Sequence, residues 1–228
     1  LEAHERYIDS LKIVMADMPM SDTIAMYALY DELINAYAHF NLDSLVAYAD
    51  LASGFATGTG NLVLAEHYRI NKIHAIPLLG HTYEAIAIID TTDVNDIYPE
   101  NRAEFLKEAW AASLSIFSMY SLKGVNSDYL VRFVAVSRHL SDILPATDPF
   151  YPVVKSVLQY GDGNFTQAVA TATAATENMS MSDECYNELV RVLSLYEYSR
   201  NNFDQWRYML ALSSILEIRS LLLDGESL

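Results

Sequence analysis

Cysteine, glycine, proline and positive charge are all in short supply in this chain of 228 residues. A single cysteine, Cys185, cannot form an internal disulfide, so cysteine usage neither requires nor excludes an oxidising compartment. Fourteen Lys and Arg stand against 30 Asp and Glu, giving a formal net charge of −16. Nucleic-acid affinity rests largely on clustered cations that neutralise phosphates, so direct binding of DNA or RNA is not expected. No run reaches the roughly 18 uncharged apolar residues that a spanning helix needs. The longest candidate, Ala109–Leu122, is short and interrupted by serines. Membrane attachment is therefore expected only through a segment outside this chain. The chain opens at Leu1 with no charged-then-apolar leader, and reads as a processed or trimmed piece of a longer protein.

Eight glycines and six prolines serve the whole chain, and most sit between apolar-periodic runs, as at Pro19, Pro77, Gly80, Pro99, Gly124, Pro145 and Gly163. Few breakers at regular places mean helices with short connections. No useful length alternates strictly as a half-buried strand does, whereas nearly every segment carries the three-to-four-residue spacing of an amphipathic helix. The expected class is all-α. The spacing predicts helices over Ala3–Asp17, Asp22–Phe40, Asp43–Ala56, Leu62–Leu79, His81–Thr91, Asn101–Leu122, Ser127–Leu144, Pro149–Gln159, Asn164–Thr176, Ser182–Arg200 and Asn202–Leu223. Their firmest starts are Ser21-Asp22, Asn41-Leu42-Asp43 and Ser182-Asp183-Glu184, where a capping side chain accepts orphan N–H groups and an acid meets the helix dipole.

With 52% hydrophobic residues, the length favours one array or one large domain over two independent ones. Four turns repeat along it: Asn41–Leu45, Gly80–Ala85, Gly163–Ala168 and Asn201–Trp206. With Leu45, Ala85, Ala168 and Trp206 as markers the gaps are about 40, 83 and 38 residues, and Gly124–Tyr129 splits the long one. A period near 40 is that of stacked helical hairpins. The units run over about 22–60, 61–98, 99–145, 146–180 and 181–213, with capping helices at 3–17 and 214–223. The caps are needed because each hairpin leaves an apolar face that only a neighbour covers.

Within these turns an aromatic follows the break and a small residue stands near the fifth position, as in Gly163-Asn164-Phe165-Thr166-Gln167-Ala168 and Gly80-His81-Thr82-Tyr83-Glu84-Ala85. This resembles the start of the second helix of a tetratricopeptide repeat. The stretches 40–49 and 208–220 further resemble the extracytoplasmic helical-repeat region of bacterial membrane-anchored regulators, in which such repeats precede a membrane helix and a cytoplasmic signalling part. The resemblance implies a tetratricopeptide-like superhelical array of about five hairpins, lying at the periplasmic face of an inner membrane as a sensor or interaction domain. One departure stands out: laid over Glu66–Ala85, the repeat places Arg69 and Lys72 where a hairpin buries its residues, so the helix is rotated or the register slips there.

In such an array the first helix of each pair lines the inner wall. Counting back from the turns puts Tyr27, Tyr30, Tyr37, His67, His74, Tyr160, Arg191 and Tyr198 on it. Tyrosines offer apolar area with a polar tip, which suits a protein or peptide segment or a glycan. The same tyrosines serve equally to pack one hairpin against the next, and the sequence leaves both readings open. Two further roles stand beside a ligand- or protein-binding regulator domain: a periplasmic assembly scaffold, and a carbohydrate-uptake lipoprotein, although the latter carries a long irregular insertion that this chain lacks. Homodimerisation is a further expectation.

No cofactor, metal or catalytic centre is expected. His67 and His74 are seven apart, too far along one helix to share an ion as an i, i+4 pair does. The acidic loop Asp90, Asp93, Asp96 and Glu100 lacks the glycine turn of a calcium loop, and Asp90 and Asp93 read as helix-end and turn formers. No nucleophile elbow or phosphate loop is present. Cys185 has no basic partner in sight and reads as a small buried residue.

Overall fold

The computed structural model describes residues 2–38, 40–121, 127–180 and 184–199. Eleven α-helices and no strand occur among the described residues: α1 (Glu2–Asp17), α2 (Thr23–Tyr37), α3 (Leu42–Gly58), α4 (Leu62–Ile70), α5 (Ala75–Leu78), α6 (Thr82–Thr91), α7 (Arg102–Ser121), α8 (Ser127–Ile143), α9 (Tyr151–Gly161), α10 (Phe165–Glu177) and α11 (Glu184–Ser199). Two 3₁₀ turns, Val94–Asp96 and Pro99–Asn101, fill the segment before α7. The expected Asn202–Leu223 helix, with its capping role, and the Ser182-Asp183 cap lie outside the described residues.

Local chemistry sets the element ends. Asn41 Oδ1 accepts from Ser44 N at 3.0 Å, and Asp22 Oδ1 from Ala25 N at 3.2 Å, so the expected caps start α3 and α2. Two hairpins turn through the same closure. Gly80, at φ 90°, follows α5 while His81 N reaches back to Ile76 O at 3.1 Å; Gly163, at φ 80°, follows α9 while Asn164 N reaches Gln159 O at 2.8 Å. This six-to-one bond past a left-handed residue satisfies the last carbonyls of a helix, and glycine adopts that conformation without a Cβ clash.

One expected helix is broken. The run Leu62–Leu79 is two helices, α4 and α5, separated by a turn at residues 71–74. Pro77 explains the interruption: it has no N–H to give Ile73 O, and its ring would collide with that carbonyl in a continuous helix. Of the two residues that misfit the repeat pattern, Arg69 is exposed on α4 and Lys72 lies in the turn, paired with Asp50, while Ile70 and Ile73 face inward.

Packing divides the described residues into two compact units, one up to Ala112 and one from Ser113, so the division falls within α7. In the first unit α1 packs on α2, α2 on α3, α3 on α4, and α5 on α6. Its core interleaves small and large side chains. Ala49, Ala52 and Ala56 of α3 and Ala65 of α4 are fully buried and let the helices approach, while Tyr30, Leu33, Tyr37, Leu45 and Tyr68 fill the space between them. Fully burying a leucine such as Leu33 or Leu45 contributes roughly 1.5–3 kcal/mol. The N-terminal helix is fastened by Ile8 in this core and by His4, whose Nε2 lies 2.8 Å from Ala36 O.

In the second unit α9 is the centre, touched by α8, α10 and α11. Val153, Val154 and Val157 face inward with Leu140, Ala168, Ala172 and Leu189 around them. Gly161 meets α8 so closely that a Cβ there would lie 2.6 Å from Val134 Cγ2. Cys185 is buried, as its reading as a small core residue anticipates.

Candidate functional site

The expected wall residues divide into core and surface. Tyr30 and Tyr37 retain only 7% and 5% of their exposure and belong to the packed core of the first unit. Tyr30 lies against Phe55 and Tyr68, with ring centroids 5.8 and 6.4 Å away, and burial, with Tyr48 nearby, pushes its hydroxyl pKa up. Tyr37 stacks on Tyr48 at 5.4 Å, with Lys12 Nζ 5.6 Å from its ring centre. Both therefore serve packing, Tyr30 toward the next hairpin through Tyr68 and Tyr37 within its own hairpin and toward α1. Tyr27 is half-buried; its hydroxyl bonds to Thr59 Oγ1 and its edge meets Phe55 at 5.4 Å.

In the second unit Tyr160 stacks on Tyr196 at 4.6 Å and meets Phe165 edge-on at 5.1 Å. Arg191 is held by Glu188 at 3.2 Å and donates to Ser115 Oγ at 3.2 Å. The Tyr198 side chain lies outside the described residues.

The two histidines anchor the most polar constellation of the first unit. His67 projects from α4, and His74 is the last residue of the break. Opposite them, Glu104 and Glu108 are one turn apart on α7 and so share a face. Each histidine takes its own carboxylate: His67 Nδ1 lies 2.6 Å from Glu104 Oε2, and His74 Nδ1 lies 2.6 Å from Glu108 Oε2. The His74 backbone N–H also points to Glu108 Oε2, at 3.3 Å. The result is two parallel rungs between α4–α5 and α7, and no grouping of three or more metal-ligating side chains occurs among the described residues.

Asn71, the first residue of the break, closes the upper rung. With its amide oxygen toward His67 Nε2 at 3.1 Å, its nitrogen lies 2.6 Å from Glu104 Oε1 and 3.2 Å from His67 O. That ring of contacts is satisfied when both imidazole nitrogens carry protons: one donates to Glu104, the other to Asn71, and Asn71 in turn donates to Glu104. The arrangement thus favours the protonated form. Accordingly the His67 pKa is raised, first by the hydrogen bond to Glu104 and further by the charges of Glu104, Asp31 and Glu108, against the opposing effect of burial. Tyr68, beneath His67, is fully buried, and burial together with the Asp31 carboxylate drives its pKa far upward. With both nitrogens engaged, His67 offers no lone pair to a metal.

Asn71, Glu104, Glu108 and Asp31 are the residues that sequence reasoning missed. The only signal was spacing: carboxylates four apart on α7 match a face carrying histidines seven apart. Nothing local says that the two faces meet, since 37 residues separate His67 from Glu104. What the face can do is recognition by charge and hydrogen bonding, as three carboxylates surround the imidazoles and hold excess negative charge at the surface.

Within each unit, helices packed in chain order and closed by recurrent glycine turns define a tetratricopeptide-type all-α protein. The model of one family, the SusR N-terminal TPR domain, matches residues 1–228, and the chain belongs to this family. No curated protein and no solved structure gives a match. Domains of this type generally mediate protein interactions.

Proposed function

We propose that this domain is the extracytoplasmic recognition region of a membrane-anchored bacterial regulator, and that it binds its partner on the face formed by α2, α4 and the start of α7. Family membership supports the regulator reading, because the matching model describes the N-terminal TPR domain of SusR. The observation that carries the choice of face is the paired rung His67–Glu104 and His74–Glu108 with Asn71 and Asp31 beside it. These are partly exposed, hydrogen-bonding side chains built on helices, whereas Tyr30 and Tyr37 are committed to packing. Their excess negative charge, in a chain of net charge −16, fits a protein or peptide segment with cationic or donor-rich side chains.

Site-specific photo-cross-linking in cells producing the protein from its own gene tests the choice. A photoreactive residue at Asp31 is expected to capture a discrete partner, and one at the exposed Val131 of α8 to capture none. Capture from Val131 alone would move the interaction elsewhere and return the scaffold reading.

A further inference from the structure

The other flank of α4 carries a cleft of about 400 Å³ between α3, α4, α6 and the start of α7. That size is in the range of small-molecule sites. Arg69 stands at its edge, and Ile70 and Ile73, only 3% and 4% exposed, form its floor with Phe105, also 3% exposed. Three charges at the rim are already used. Lys72 pairs with Asp50, and Glu66 accepts from Tyr98 N and Asn101 Nδ2, both at 2.9 Å. Two are not: Arg69 and Glu84 line the same cleft, carry opposite charge, and make no ion pair with each other or hydrogen bond with another side chain among the described residues.

An unpaired guanidinium and an unpaired carboxylate over an isoleucine and phenylalanine floor are complementary to a molecule that bears both charges on an apolar body. A guanidinium fork matches a carboxylate, a carboxylate accepts from an ammonium, and the floor takes an aliphatic or aromatic side chain. We infer that this cleft binds a zwitterionic small molecule, an α-amino acid with an apolar side chain, with Arg69 on its carboxylate and Glu84 on its ammonium. The site is independent of the histidine-lined face and stands whether or not that face binds a partner.

Isothermal titration of the 228-residue chain with L-leucine and L-phenylalanine tests this directly. Saturable binding is expected with a Kd below about 1 mM. Arg69→Gln and Glu84→Gln should each weaken it about tenfold or more, the loss for one charge-assisted bond. Both residues are exposed, so the variants are expected to melt with the wild type. The ligand side gives a check that needs no variant: the amide, the N-acetyl derivative and the deaminated acid should each bind about tenfold more weakly. Absence of binding by either amino acid at about 10 mM, or equal binding by the variants or the blocked ligands, overturns the proposal.

Discussion

Glu104 Oε2 lies 2.6 Å from His67 Nδ1, joining α7 to α4 through a contact whose second imidazole nitrogen faces Asn71. The protonated ring donates to both Glu104 and Asn71, and the neutral ring gives up one of those donations.

Stability should accordingly fall in alkaline solution. The folded-state pKa of His67 is raised above the ordinary value near 6.5. The stabilisation is therefore fully present below about 6.5 and is lost as pH rises through the raised value. Denaturant midpoints measured from about pH 6 to about pH 9 should decline for the wild type and vary less for Glu104→Gln. Parallel profiles would count against the protonated rung.

Two glycines separate two kinds of constraint. Gly80 has φ 90° but no atom within 4 Å of a built Cβ, so Gly80→Ala strains only the backbone and is expected to cost about 1–2 kcal/mol. Gly161 has no such φ, yet its Cβ would meet Val134 at 2.6 Å, so Gly161→Ala overpacks α8 against α9 at a cost of about 1–3 kcal/mol. Adding Val134→Ala should relieve the second loss and leave the first untouched, as urea titration of the double variants would show. Additivity at 161 and 134 would mean that the helices part without strain.

How much of this was legible follows the range of the interactions involved. Gly80, Gly163, Asn41 and Asp22 act within a few residues of themselves, and the elements they end are where the spacing placed them. The break in the second repeat was half-visible: Pro77 and the misplaced Arg69 and Lys72 both pointed to it, but helical periodicity runs on across the gap and hid it. Burial of Tyr30 and Tyr37 depends on how closely alanine-rich α3 approaches, which one helix's pattern does not report. The pairing of His67 with Glu104 joins side chains 37 residues apart, beyond any local signal.

Tyr37 distinguishes packing from recognition. Its ring is 5% exposed and stacked on Tyr48, so Tyr37→Ala should remove about 3–5 kcal/mol of stability. Thermal melts of the purified variant report this. An unchanged melt would return Tyr37 to the candidate surface residues.

Asn41 tests the capping chemistry that starts α3. Loss of the bond to Ser44 N in Asn41→Ala should cost about 1 kcal/mol, and Asn41→Asp, which keeps the acceptor, should cost little. Equal losses in the two variants would assign the effect to something other than the cap.

The most direct test of the proposed recognition role replaces both rung carboxylates in the native gene, Glu104→Gln with Glu108→Gln, and measures the transcriptional response proposed for the protein. With protein abundance and fold verified, the account predicts that regulation is lost; a full wild-type response would contradict it.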